Sequence, residues 1–312
     1  MAKRLIFDVS SYQGFINFDK LLSGDKEIPA AMIVRAGISY GYVDKYFVRN
    51  YTESRLLGLP TCIYVVHRPD ADHDIQVDAW LRLLDLVKYD GSHAIIPDEE
   101  LYLGYDKYYV TDQYFKTYDR ITKENIKQVT YTAKWFTDSY MSDSDRFQEP
   151  KFMLAAYGTQ KVVENGVVKY VYREMPTEEF IAEYIPDIIP EKNVLIHQFT
   201  DRFNNSSGKD YGMESYYLDA SRWIGTDEEF SWMFGTGEVV PVVDEPLTGA
   251  KTVSVGNSKL ALRDDNMDPI GWLCDGCPVE LTGESKKASV ESGTHTFQKA
   301  TLSGYVAEDY LK

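Results

Sequence analysis

Two acids two positions apart, Asp98 and Glu100, follow the apolar run Ala94-Ile95-Ile96 and are the residues best placed to do chemistry. If the run is a strand, alternate side chains share a face, and the two acids project together from points roughly 6–7 Å apart. Paired carboxyls are what glycoside hydrolysis needs: one protonates the leaving oxygen and the other stabilises the charge left on the ring. Repulsion and partial burial would raise the pKa of one and leave the other ionised. Glu99 lies between them, so the same three residues also read as a solvated acidic loop.

Such a pair needs a scaffold to hold it. Eight short apolar or β-branched runs occupy residues 4–9, 31–36, 61–66, 94–97, 128–132, 152–156, 194–199 and 216–218. Most are continuous, as in strands of a parallel sheet buried on both faces. Helical spacing falls between several of them, clearest over 75–87 and weaker over 44–57 and 112–125. Strands alternating with helices imply an α/β architecture, and eight strands in roughly 225 residues a closed barrel with fewer helices near its end. Chemistry in such barrels gathers where the strands end. Those ends carry Asp8, Arg35, His67, Asp98 with Glu100, Tyr131, Tyr157, Gln198 and Asp219, so four carboxyls and several aromatics converge on one mouth.

Glu164-Asn165-Gly166-Val167 marks a hairpin inserted over 161–177. The reading divides the chain into a barrel over 1–234, a Gly-, Pro- and acid-rich linker over 235–250, and a second unit over 251–312. Strand-like pieces at 260–263, 271–274, 278–281 and 304–306 make that unit a small all-β barrel. Cys62 sits in an apolar run and reads as core. Cys274-Asp275-Gly276-Cys277 reads as two cysteines flanking a tight turn, a labile cross-hairpin disulfide being the other option. With five histidines and no clustered spacing, neither a catalytic metal nor a cofactor is expected.

The formal charge of −16 argues against a nucleic-acid partner and against docking by net charge onto an anionic surface. No apolar stretch approaches the ~20 residues that would span a bilayer, so no membrane partner is expected. The basic pair Lys3-Arg4 is followed too soon by Asp8 to open a signal-peptide core. The expectation is synthesis in a cytoplasm.

Seven segments in register over residues 4–226 resemble the family-25 glycoside hydrolases, the bacterial and phage muramidases. They are Asp8-Val9-Ser10-Ser11-Tyr12-Gln13-Gly14, Val34-Arg35-Ala36-Gly37-Ile38-Ser39-Tyr40-Gly41, Asp98-Glu99-Glu100 and Tyr131-Thr132-Ala133-Lys134-Trp135-Phe136. The others are Leu154-Ala155-Ala156-Tyr157, His197-Gln198-Phe199-Thr200 and Leu218-Asp219-Ala220-Ser221-Arg222-Trp223. The resemblance implies a flattened, TIM-like (β/α)5(β)3 barrel that cleaves the β-1,4 bond between N-acetylmuramic acid and N-acetylglucosamine in the glycan strands of peptidoglycan. By position it makes Glu100 the general acid and Asp98 an ionised stabiliser, with Asp8 and Asp219 completing the acidic cluster. It leaves open a direct nucleophile, assistance by the substrate's N-acetyl group, and inversion.

Tyr64, Tyr131, Tyr157, Gln198, Arg35 and His67 are the implied sugar contacts, although the tyrosines also read as core aromatics. Two departures stand out. His67-Arg68-Pro69 occupies a place where the family usually carries an aromatic, and His197 one where tryptophan is common. Glu99 should point away from its neighbours, as a structural or solvated acid. The terminal unit resembles a bacterial SH3-type domain, which implies attachment to the bacterial cell wall; a spacer or oligomerisation module is the other reading. Together these features suggest a phage endolysin, made in a host cytoplasm and acting on the wall after release, with a virion-associated tail lysin, an exported autolysin or an inactive wall-binding protein as alternatives.

Overall fold

The computed structural model describes residues 4–203 and 208–235, and the strand segments 248–252, 259–263, 269–274, 278–290 and 293–302. The chain divides into two compact units, 1–239 and 240–312. In the first unit eight strands close a barrel: β1 (Leu5–Val9), β2 (Ala31–Ile38), β3 (Thr61–Val66), β4 (Ile95–Asp98), β5 (Thr130–Ala133), β6 (Phe152–Ala155), β7 (Val194–Thr200) and β8 (Asp219–Trp223). Each pairs with the next, and β8 returns to β1. The first seven run parallel, whereas β8 is antiparallel to both of its neighbours.

The eighth strand therefore departs from expectation. It spans Asp219–Trp223 rather than 216–218, and Asp219 opens it instead of following it. No apolar run announces this strand, whose fully buried residues are the small Ala220 and Ser221. Arg222 reaches Glu174 at 2.8 Å and also bonds Glu27. Since β8 runs backwards, its first residue lies at the barrel end where the parallel strands finish, and Asp219 stands opposite Asp8.

Helices pack outside the strands: a single turn at Phe18–Leu21, then α1 (Phe47–Leu56), α2 (His73–Leu86), α3 (Lys107–Lys123), α4 (Lys134–Tyr140), α5 (Thr177–Tyr184) and α6 (Asp227–Phe234). Two begin earlier than periodicity alone indicates, because acids cap them. The Asp72 carboxylate accepts from the backbone N–H groups of Asp74 and Ile75, and Asp106 does the same for Tyr108 and Tyr109. In contrast, α1 starts three residues later than read. Asp44 does not enter the helix; its carboxylate is held by Arg35 at 2.8 Å and by the Ser11 N–H at 2.8 Å. The inserted hairpin pairs Thr159–Glu164 with Val167–Tyr172 across Asn165-Gly166. Both turn residues have positive φ, 52° and 76°, as a two-residue primed turn requires.

Alternation along the strands builds the interior. In β1, Leu5, Phe7 and Val9 pack outward under the helices, while Ile6 faces the barrel axis. Ile6, Ile33, Cys62, Ile96 and Met153 form the inner apolar layer, with Trp223, Phe230, Met233 and Phe234 in the same cluster. Cys62 is fully buried, as its sequence context indicates.

In the second unit, Thr248–Thr252, Pro278–Val290 and Gly293–Leu302 form an antiparallel three-stranded sheet, and Lys259–Arg263 pairs with Pro269–Cys274. The first of these strands starts within the segment read as linker. Residues 236–247 of that linker, the Asp275–Cys277 turn and the strand read at 304–306 lie outside the described residues.

At Gly37 an added Cβ would fall 2.2 Å from the Tyr42 carbonyl oxygen and 3.3 Å from a Leu83 methyl carbon. Replacing Gly37 by Ala should lower stability by about 1–3 kcal/mol, read as a fall in the urea unfolding midpoint of the full chain. An unchanged midpoint would show that the β2 edge yields more freely than its packing indicates.

Candidate active site

The apolar layer inside the barrel is the floor of a cavity. Ile33, Ile96 and Met153 line it from below, and Asp8, Asp98, Glu100 and Asp219 line it above. The same alternation that turns Ile6 and Ile96 inward turns Asp8 and Asp98 inward two residues later. Glu100 follows two residues beyond the end of β4 and re-enters the same space. The cavity measures about 220 Å³. All four acids assigned from sequence therefore meet in one place.

Their electrostatics follow from that crowding. Burial pushes the Asp8 carboxyl up to about 6, the hydrogen bond from Gln198 opposes this, and the Glu100 charge adds to it. Burial raises Asp98 well above the ordinary aspartate value, and repulsion from Glu100, Glu99 and Asp8 adds to it while Arg35 acts in the opposite direction. Asp219 is raised by burial and by Asp8, Asp201 and Glu100. Glu100 is raised by burial. Asp98, read from sequence as the member that stays ionised, thus sits where burial and three acids favour its proton. The four titrate as a unit rather than as independent groups. Asp98 Oδ1 is buried and makes no hydrogen bond among the described residues.

Tyr64, Tyr131, Tyr157 and Gln198 also line the cavity. Tyr131 and Tyr157 donate to Gln198 Oε1 at 3.0 and 2.7 Å, and Gln198 Nε2 donates to Asp8 Oδ2 at 2.9 Å. This network fixes the amide orientation of Gln198 and thereby holds the Asp8 carboxyl. Arg35 lies beside Tyr64 in the β2–β3 register, yet its guanidinium is engaged by Asp44 and Ser11 and it does not line the cavity.

Two of the implied sugar contacts, Arg35 and His67, thus lie off the cavity. His67, read as a sugar contact, does not line the cavity. It is 1% exposed, with Nδ1 2.9 Å from the Glu99 carboxylate, Nε2 3.1 Å from Thr117 Oγ1, and its ring edge-on to Trp80. Glu99 points away from Asp98 and Glu100 as expected, but into the protein rather than into solvent. His197 likewise faces outward, stacked on Phe180 at 3.9 Å with Nε2 2.9 Å from the Ala156 carbonyl. Phe180 belongs to the short helix α5, which periodicity did not reveal.

Sequence reasoning also missed a groove of about 710 Å³ that shares Glu100, Tyr131 and Tyr157 with the cavity. Trp135, more than half exposed, lines it with Lys134 and Tyr184. An indole that open beside buried acids is a stacking surface for a ring. Trp135 stands next to Phe136, which is buried; only the outward phase of α4 separates surface from core.

The family model described as glycosyl hydrolases family 25 matches residues 7–207. Among solved structures, a family 25 glycosyl hydrolase from Bacillus anthracis is 20% identical, with a TM-score of 0.54 over 74% of this chain and 93% of that one. The CTP1L endolysin is 19% identical, with a TM-score of 0.52 over 73% and 68%. The spore cortex lytic enzyme SleM of Clostridium perfringens is 18% identical, with a TM-score of 0.54 over 96% and 98%. At these identities the likeness is one of fold. A search of curated proteins finds no match.

The Asp8 carboxyl makes stability depend on pH. Its folded pKa is raised from 3.8 to about 6, so it contributes stability that is present below the unfolded value and lost as pH rises through about 6. Replacing Asp8 by Asn removes that loss. The variant should exceed wild type in urea-unfolding free energy by on the order of 1–3 kcal/mol at neutral pH, the gain vanishing in acid below the unfolded pKa. A gain that is the same at both pH values would contradict the burial of this charge.

Proposed function

Because the chain belongs to the glycosyl hydrolases family 25, we propose that this glycoside hydrolase is an N-acetylmuramidase, cutting the β-1,4 bond between N-acetylmuramic acid and N-acetylglucosamine in peptidoglycan. The observation that carries this reading is the junction at Glu100. Its carboxyl belongs both to the four-acid cavity and to the open groove with Trp135, so a glycan laid in the groove brings a linkage to the one acid that groove and cavity share.

The roles follow from position and burial. Glu100 is half-buried, and desolvation keeps its proton available for the glycosidic oxygen. As that proton moves, the bond from the anomeric carbon to the leaving oxygen breaks and positive charge builds on the ring. Asp98 lies deeper, with a carboxyl oxygen that has no hydrogen bond among the described residues. The developing cation offsets the desolvation that otherwise favours the Asp98 proton, so the ionised carboxylate is stabilised most in the transition state. Asp8, held by Gln198, and Asp219 opposite it supply the further negative potential and acceptors for sugar hydroxyls or water. Water completes the hydrolysis, and its proton restores Glu100.

The reading extends to the whole chain as follows. The second unit is an SH3-like module that binds the cell wall, which would raise the local concentration of the barrel on its polymer. The protein acts as a phage endolysin, made in the host cytoplasm and reaching the wall after release. The barrel with an appended β unit supports this, as does a fold shared with an endolysin.

Mass spectrometry of digested peptidoglycan tests the reaction. Wild type should release fragments with reducing-end N-acetylmuramic acid, and Glu100→Gln should lower turnover by roughly 10²–10⁴-fold while wall binding persists. Reducing-end N-acetylglucosamine, no new reducing ends, or equal turnover by both proteins would each contradict the proposal.

A further inference from the structure

Immediately behind the acid pair lies a second pair of titratable groups that the reaction does not use. Glu99 and His67 are each 1% exposed. His67 Nδ1 is hydrogen-bonded to Glu99 Oε2 at 2.9 Å, while Oε1, at the same distance, makes no hydrogen bond among the described residues. Among the described residues no other group able to carry positive charge touches Glu99. A carboxylate left unpaired at that depth would be costly, and His67 Nδ1 is the group in place to donate to it.

The pair is built into the same backbone as the acids. The His67 N–H donates to the Asp98 carbonyl at 3.1 Å, and the Glu99 N–H donates to the Tyr131 carbonyl at 2.9 Å. Thr132 Oγ1 donates to the Glu99 carbonyl at 2.8 Å. Side chain and main chain together fix the short segment from which Asp98 and Glu100 turn inward while Glu99 turns outward. The charge of Glu99 is also felt inside the cavity, where it adds to the repulsion that favours the Asp98 proton.

We propose that His67 and Glu99 form a buried hydrogen-bonded pair that clamps the end of β4 and shields Asp98 from the charge of Glu99, so that His67, as a positioning residue, sets the acidic edge of the enzyme's working range. Asp98 is faced by Asp8, Glu99, Glu100, Arg35, Tyr64 and Tyr131, and the pair itself by Tyr114, Asp70, Thr117 and Trp80. Of the acids that face Asp98, Glu99 is the one paired with a group outside the cavity. Without the His67 proton, Asp98 and Glu99 would compete for one drawn from solvent. The inference rests on Asp98 acting in its ionised form.

Rescue separates this role from packing. His67→Gln should lower wall-hydrolysing activity at mildly acidic pH by about tenfold and move the acidic limb of the pH profile up by about one pH unit. Adding Glu99→Gln removes the charge to be shielded and should bring both back to within about threefold of wild type. A double variant no better than H67Q, or a limb that does not move in H67Q, would overturn the inference. Inactive wild type would instead overturn the assigned reaction. If H67Q fails to fold and the double variant folds, the unpaired charge is read out directly. If neither folds, nitrogen NMR of the wild-type imidazole decides: a protonated Nδ1 across the active pH range supports the pair, and an unprotonated Nδ1 overturns it.

Discussion

Everything in the barrel answers to one electrostatic constraint: four carboxyls share a cavity of about 220 Å³ above an apolar floor. Water cannot screen them there as it does on the surface, and like charges at such range cannot all ionise at neutral pH. The cavity therefore retains protons, which is the condition a general acid requires. Cavity and proton retention are one property, because the same burial that raises Asp8, Asp98 and Asp219 also raises Glu100.

The fold sustains that constraint through strand parity. Ile6 and Asp8, Ile33 and Arg35, Cys62 and Tyr64, and Ile96 and Asp98 are each two apart, and each puts an apolar residue in the inner layer below a polar one. A one-residue slip in β1 would exchange Asp8 for a helix-facing hydrophobe, Phe7 or Val9. The antiparallel β8 satisfies the same demand from the other direction, delivering Asp219 at its beginning. Around the rim, Gln198 and Arg35 hold acidic partners by charge-assisted hydrogen bonds, so that few side chains at the mouth are left to find their own positions.

Much of this was legible in the residues. Seven strands and three helices declared themselves by apolar runs and by period, and the four acids by standing where strands end. Their convergence needed only the rule that such ends share one mouth. What escaped did so for physical reasons. β8 holds a single large apolar residue, Trp223, among small and polar ones, so it has no apolar signature. The capped helices α2 and α3 start at Asp72 and Asp106, where side-chain acceptors rather than periodicity decide the boundary. His67 and Glu99 look like surface or site residues in sequence, since nothing local shows that each is the other's partner across 32 positions. Trp135 and Phe136 are equivalent aromatics until the phase of α4 exposes one and buries the other.

The central claim is that the cavity keeps protons that isolated carboxyls would have lost. Carbon NMR of the full chain with labelled aspartate carboxyls measures this directly across a pH titration. The account predicts that Asp8 titrates near 6 and that Asp98 and Asp219 titrate well above ordinary aspartates, each disturbed by replacing one of the others. Three independent titrations close to 3.8, unaffected by one another, would contradict it.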